Sequence, residues 1–242
     1  MKTGLVSATF RKLSPERIID LCRETELDGI EWSADVHAVN PSAASEIAEK
    51  MNGLEVISLG SYYKLGKGQD FIPVLETAKK LGAPNIRIWA GTENPDDVSK
   101  ENRIKLVEEA KRISYLAGNE GMTLSFEYHG GTLTANQQSA VSLIEEINSE
   151  NVRLYWQPLD SLEKSEMADN VRELSSRNIL LNLHVYYWVN SERFPLSDGN
   201  EYWKQWFAAA EKTANAALLE FVKDDSEAQF LKDAKTLKAL IK

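Results

Sequence analysis

The sequence predicts an α/β protein in which eight parallel strands, each followed by a helix, close into a (β/α)8 TIM barrel. Three observations carry this. Short β-rich runs alternate with helical patterns along the whole chain, without a long linker or a low-complexity tract. Four of the later runs end on a polar residue able to bind a metal: LSFEYH at Leu124–His129, VRLYWQP at Val152–Pro158, LLNLH at Leu180–His184 and ALLEF at Ala217–Phe221. The residues are Glu127, Gln157, His184 and Glu220, and successive members stand roughly 30 residues apart, the length of one strand–helix unit. One ligand-type residue per strand end is how a barrel of parallel strands builds a site on its mouth. Finally, the 242 residues are close to the roughly 250 usual for such a barrel, so one domain over 1–242 is expected. An open doubly wound sheet is the main competitor, but the chain has no glycine-rich phosphate loop after its first strand.

The elements follow in order. Strands are expected at Leu5–Thr9, Gly29–Trp32, Glu55–Leu59, Asn85–Ala90, Thr123–Tyr128, Val152–Gln157, Ile179–Tyr186 and Ala217–Val222. Ser14-Pro15 opens the first helix with a serine cap and proline at the first helical position. Asn40-Pro41 opens the second, and Ser99 with Asn102 begins the long Glu101–Ala117 run. Gly53, Gly82 and Gly121 follow helical patterns where a left-handed residue is wanted.

Strand alternation assigns the side chains. In LSFEYH, Leu124, Phe126 and Tyr128 should meet the helices, which aims Ser125, Glu127 and His129 inward. In LNLHVY the same rule sends Leu181, Leu183 and Val185 outward, and Asn182, His184 and Tyr186 inward. Arg87, Trp89 and Glu31 also point inward, with Arg87 and Glu31 the expected buried ion pair. Polar residues recurring on interior faces are expensive to bury without partners. A site explains them better than a core does.

Composition narrows the function classes. A formal net charge of −9 argues against a nucleic-acid partner, which calls for a basic patch. No apolar run approaches the roughly 20 residues that span a bilayer, so no membrane is expected. MKTGLVSATFRKLSP is interrupted too early by Arg11 and Lys12 to read as a secretory signal. A cytoplasmic enzyme is the expectation. The single cysteine, Cys22, lies in the helical pattern IIDLCRE and reads as a small buried residue rather than a nucleophile.

Several segments resemble the xylose-isomerase-like TIM barrels, a broad group of sugar and sugar-phosphate isomerases and epimerases that includes tagatose-type 3-epimerases, inosose dehydratases and a class of abasic-site endonucleases. They are LDGIEWSADVHA at Leu27–Ala38, GAPNIRIWAG at Gly82–Gly91, LSFEYHGGTLTAN at Leu124–Asn136, NVRLYWQP at Asn151–Pro158, LHVYYW at Leu183–Trp188 and PLSDGNEYW at Pro195–Trp203. The resemblance spans the length of the chain. It implies one divalent metal (Mn, Mg, Co or Zn) held by Glu127, Gln157, His184 and Glu220. It departs from the family at Gln157, where an aspartate is usual, and at Asp160, where a histidine is frequent. An amide oxygen still coordinates a hard cation but adds no negative charge. With three histidines in all, a three-zinc endonuclease site is not expected.

The resemblance also implies the chemistry. Glu127 and Glu220 would be the catalytic pair of an isomerase or epimerase acting on a small sugar, sugar phosphate or related polyhydroxy carbonyl compound through an ene-diolate. His37, Trp89, His129 and Arg193 are candidate substrate contacts. Trp32, Trp89, Trp156 and Trp188 lie near strand ends, as sugar platforms or as core. Two alternatives stand beside this: an inosose-type dehydratase on the same barrel, and a non-catalytic sugar-binding barrel with a weakened metal site. Hydride transfer lacks its dinucleotide fingerprint.

Overall fold

The computed structural model describes residues 1–159, 162–210 and 213–242. Its strands are β1 (Lys2–Val6), β2 (Gly29–Ser33), β3 (Glu55–Lys64), β4 (Asn85–Trp89), β5 (Thr123–Glu127), β6 (Val152–Trp156), β7 (Leu180–Val185), β8 (Tyr187–Val189), β9 (Glu192–Phe194) and β10 (Ala216–Leu219). All except β8 and β9 pair in parallel, β1 through β7 in chain order and then β10. The barrel closes through the β1–β10 register of Lys2 with Ala216 and Leu5 with Leu219. The eight main helices are α1 (Pro15–Glu24), α2 (Pro41–Lys50), α3 (Ile72–Leu81), α4 (Lys100–Asn119), α5 (Gln137–Ile147), α6 (Lys164–Ser176), α7 (Asn200–Ala210) and α8 (Glu227–Ile241).

The helix starts obey the capping chemistry of the sequence. Ser14, Asn40 and Ser99 each accept a hydrogen bond from the backbone N–H three residues on. Gly82 ends α3 in the left-handed conformation at φ 74°. Four elements differ from expectation: β3, expected to end at Leu59, runs on to Lys64, the last strand, expected over Ala217–Val222, spans Ala216–Leu219, and two further differences have a visible cause. The first strand ends at Val6, because Ser7–Phe10 winds into a 3-10 turn that buries Phe10 edge-on against Phe230 of α8, 5.6 Å between centroids. The stretch VNSERFPL, which reads as a loop, contributes to an antiparallel hairpin of β8 and β9. Asn190 and Ser191 both take positive φ at its tip, as a tight two-residue turn requires.

Two apolar regions hold the barrel. The larger lies between strands and helices and includes Leu124, Phe126, Leu183 and Val185, as alternation predicts. Trp32 and Trp156 belong to it, Trp156 packing on Trp206 at 5.4 Å, so these two are core and not sugar platforms. The smaller region comprises Val6, Ile57, Tyr155, Leu181, Ala216 and Leu218. It contains a correction: Leu181, expected outward, joins this interior group. The β6–β7 register jumps from Leu154–Leu180 to Tyr155–Asn182, leaving Leu181 as the extra residue of a bulge. Ile57 is the matching extra residue between β2 and β3. A buried polar layer accompanies this group, in which the Asn85 amide donates to Ser58 and Ser125, both at 2.9 Å, and the Asn182 amide donates to the Tyr155 hydroxyl at 2.5 Å.

Candidate active site

The barrel mouth opens into a cavity of about 590 Å³ whose walls include Phe10, Tyr62, Arg87, Trp89, Glu127, His129, Arg193, Glu220 and Phe221. Parallel strands put their C-terminal ends on one side, and the site residues collect there. Glu127 ends β5, His184 lies near the end of β7, and Gln157 and Glu220 follow β6 and β10 directly. All four are nearly or fully buried. Their polar atoms form a chain of contacts. Gln157 Nε2 faces Glu127 Oε1 at 3.5 Å, Gln157 Oε1 meets His184 Nδ1 at 3.1 Å, and the same Nδ1 lies 3.2 Å from Glu220 Oε2.

Arg87 stands beside this chain. Its Nε donates to Glu31 Oε1 at 2.7 Å, the pair expected from the sequence, and its Nη1 also pairs with Glu127 Oε2. That second partner was not legible from alternation, which gives a facing direction and not a reach across β4 to β5. The guanidinium fits because β3 carries glycine at its level: a Cβ on Gly60 would lie 2.7 Å from Nη2. Burial opposes the charges of this cluster, but mutual pairing prevails. Glu31 is held down to about 2, since Arg87 and His184 outweigh desolvation. His184 is pushed up to about 10, since Glu220 and Glu31 outweigh its own desolvation. Glu220 Oε2 is buried without a hydrogen bond despite its ion-pair contact.

The four candidate substrate contacts divide. Trp89 lines the cavity, stacked on His129 at 4.5 Å and covered by Lys64 at 4.2 Å. Arg193, on β9, also lines it, pairing with Asp225 at 2.6 Å and lying over Phe221. His37 is not among the lining residues; its ring nitrogens meet Ser7 Oγ at 3.0 Å and the Leu13 carbonyl at 3.2 Å, which fixes the loop after β2 to the segment after β1. Asp160 lies outside the described residues. Tyr62 and Phe221, which the sequence reading did not single out, line the cavity with left-handed backbones at φ 57° and 52°. Such strain in bulky residues concentrates at functional sites, and no sequence signal marks it. Cys22 is buried, and desolvation pushes its thiol up, away from nucleophilic use.

A family model described as the xylose isomerase-like TIM barrel matches residues 19–240. The chain belongs to this family. A 3-dehydroshikimate dehydratase of Bacillus anthracis is 23% identical over 189 residues, 68% of each sequence. Among solved structures, a probable 3-DHS dehydratase of the same organism, involved in petrobactin synthesis, superposes with TM-score 0.82 at 20% identity, covering 98% of this chain and 99% of that one. A D-psicose 3-epimerase crystallised with D-fructose gives TM-score 0.72 at 17% identity, covering 99% and 98%. No helix among the described residues is long and apolar enough to cross a membrane.

Whether these residues suit the divalent ion expected for such barrels is a question of donor spacing. Neighbouring donors round an ion with bonds of roughly 2.0–2.2 Å must lie near one another. Gln157 Oε1, His184 Nδ1 and Glu220 Oε2 do, at 3.1 and 3.2 Å along the chain. The unbonded Glu220 oxygen is the atom such an ion would satisfy. Glu127 is the exception, engaged by Arg87. Among the described residues, no group of three or more His, Cys, Asp or Glu is disposed to hold a metal. The set fits a weakly charged site with an amide at its centre.

Proposed function

We propose that this protein is an isomerase of a small sugar-like hydroxy-carbonyl compound, working through an ene-diolate, with Glu220 as its principal base. The observation that supports this is the inequality of the two catalytic candidates. Both line the cavity, but Glu220 turns Oε2 to the imidazole of His184, whereas Glu127 is committed to the buried guanidinium of Arg87. The other oxygen of Glu220 is left to accept a proton from carbon. A carboxylate that already satisfies a guanidinium is a poorer acceptor.

In this reading, the apolar side of the substrate packs on the aromatic walls of the cavity, Tyr62, Trp89 and Phe221. Glu220 removes the proton beside the carbonyl and returns it to the adjacent carbon, as a one-base isomerisation requires. Arg87, on the cavity wall, offers fixed positive charge to the oxyanion that develops. Tyr62, Phe221 and Phe10 narrow the mouth and limit water. A divalent ion, for which Gln157, His184 and Glu220 are the residues that would hold it, would supply Lewis-acid polarisation of the substrate carbonyl.

The test is exchange of solvent deuterium into a panel of ketoses, inososes and sugar phosphates with added Mn²⁺, Co²⁺ or Mg²⁺. Glu220→Gln should lower turnover by roughly 10²–10⁴, and Glu127→Gln by much less. Equal losses would favour two-faced epimerisation, and no exchange with any substrate would sink the enzymatic reading. A second reading, dehydration, is favoured by the 3-dehydroshikimate dehydratase relative. It uses the same base but expels hydroxide, and would appear as exchange coupled to loss of water.

A further inference from the structure

Glu127 has both of its oxygens facing donors of the protein itself. Oε2 pairs with Arg87 Nη1, and Oε1 faces the Gln157 amide nitrogen at 3.5 Å. Glu220, across the site, has an oxygen with no hydrogen bond. The grip on Glu127 is built into three strands. Arg87 projects from β4, anchored through its Nε by Glu31 of β2, and β3 supplies the glycine hollow in which Nη2 lies. A guanidinium is planar and forked, so one residue holds two carboxylates at once. Here the near prong takes Glu31 and the far prong takes Glu127.

We propose that Arg87 is a positioning residue that holds Glu127 away from a divalent cation, the guanidinium and the cation competing for the same carboxylate. This rests on the metal reading of Gln157, His184 and Glu220 given above. With Oε2 held by Nη1, only Oε1 is left to Glu127 as a donor to that trio, and the guanidinium's share of the carboxylate charge is subtracted from the affinity of the metal.

The chain of atoms in Arg87 supplies a charge-conserving test. Lysine keeps the positive charge and reaches Glu31, which the near Nε contacts, but it lacks the far prong that contacts Glu127. Arg87→Lys therefore frees Glu127 without altering net charge. Mn²⁺ alone, titrated into metal-stripped protein and followed by calorimetry, should bind Arg87→Lys roughly tenfold or more tighter than the unaltered chain, the scale on which residues supporting metal ligands act. Damage to the fold would move affinity the other way. Unchanged or weaker Mn²⁺ binding in a folded Arg87→Lys protein overturns the proposal. Should circular dichroism show that variant unfolded, the charge-neutral double variant Arg87→Met/Glu31→Gln decides on the same criterion. Deuterium exchange judges the proposed reaction separately, because Mn²⁺ affinity is read without substrate.

Discussion

Gly60 offers a test of the buried charge cluster that touches none of its charges. An alanine there would place Cβ 2.7 Å from Arg87 Nη2 and 3.0 Å from Glu31 Oε1, whereas ordinary contact begins near 3.4 Å. Nη2 must retreat, yet the guanidinium is pinned by Glu31 at Nε and by Glu127 at Nη1. Overpacking of this kind costs about 1–3 kcal/mol, and more if the ion pair breaks. In a chain of this size that lowers Tm by about 2–12 °C. The assay is thermal unfolding of Gly60→Ala in the native and in the Arg87→Lys backgrounds. Lysine has no Nη2, so the penalty should shrink there by about 1 kcal/mol, a coupling typical of residues in contact. An unchanged Tm, or the same loss in both backgrounds, would refute the claim that Gly60 exists to admit the guanidinium.

Gln157→Asp should act in opposite directions on two readouts. It restores an anionic donor and should tighten Mn²⁺ binding; it also removes the amide facing Glu127 and adds a buried anion, so metal-free stability should fall by about 1–3 kcal/mol. Unchanged Mn²⁺ affinity would show that position 157 does not reach the ion. Acid should expose Glu31. Its carboxyl is held near 2 in the fold against 4.5 ordinarily, so its contribution is present above pH 4.5 and is lost as pH falls towards 2. Urea midpoints should drop across that interval, and Glu31→Gln should flatten the drop; an equally steep fall in the variant would assign acid sensitivity elsewhere.

The barrel was legible because its signals are local. Caps at Ser14, Asn40 and Ser99 and the alternation of LSFEYH depend on neighbours in sequence, and each appears as read. The contact chain through Glu127, Gln157, His184 and Glu220 was legible for a related reason: one polar residue per strand end becomes one cluster when strands run parallel. The failures are non-local. Leu181 faces inward because β6 and β7 slip by one residue, which no single strand encodes. His37 looks like a substrate contact until the segment from Ser7 to Leu13 folds over it and takes both nitrogens. Tyr62 and Phe221 line the cavity with left-handed backbones, and nothing in either residue type announces them.

Gln157 and Arg87 make sense together. In the buried cluster at the base of this mouth, three carboxylates, Glu31, Glu127 and Glu220, meet two side chains that supply positive charge, Arg87 and a His184 that Glu220 and Glu31 push up to about 10. An aspartate at 157 would add a fourth buried anion to a cluster with two buried cations, a costly burial. It would also accept only. The amide both accepts from His184 Nδ1 through its oxygen and presents its nitrogen to Glu127, so it joins the imidazolium half of the cluster to the guanidinium half. A divalent ion bound through His184 Nδ1 would have to displace the imidazole proton. The amide at 157 therefore suits a buried cluster in which the protein supplies its own positive charge, from Arg87 before the expected catalytic pair in sequence and from His184 between its two members.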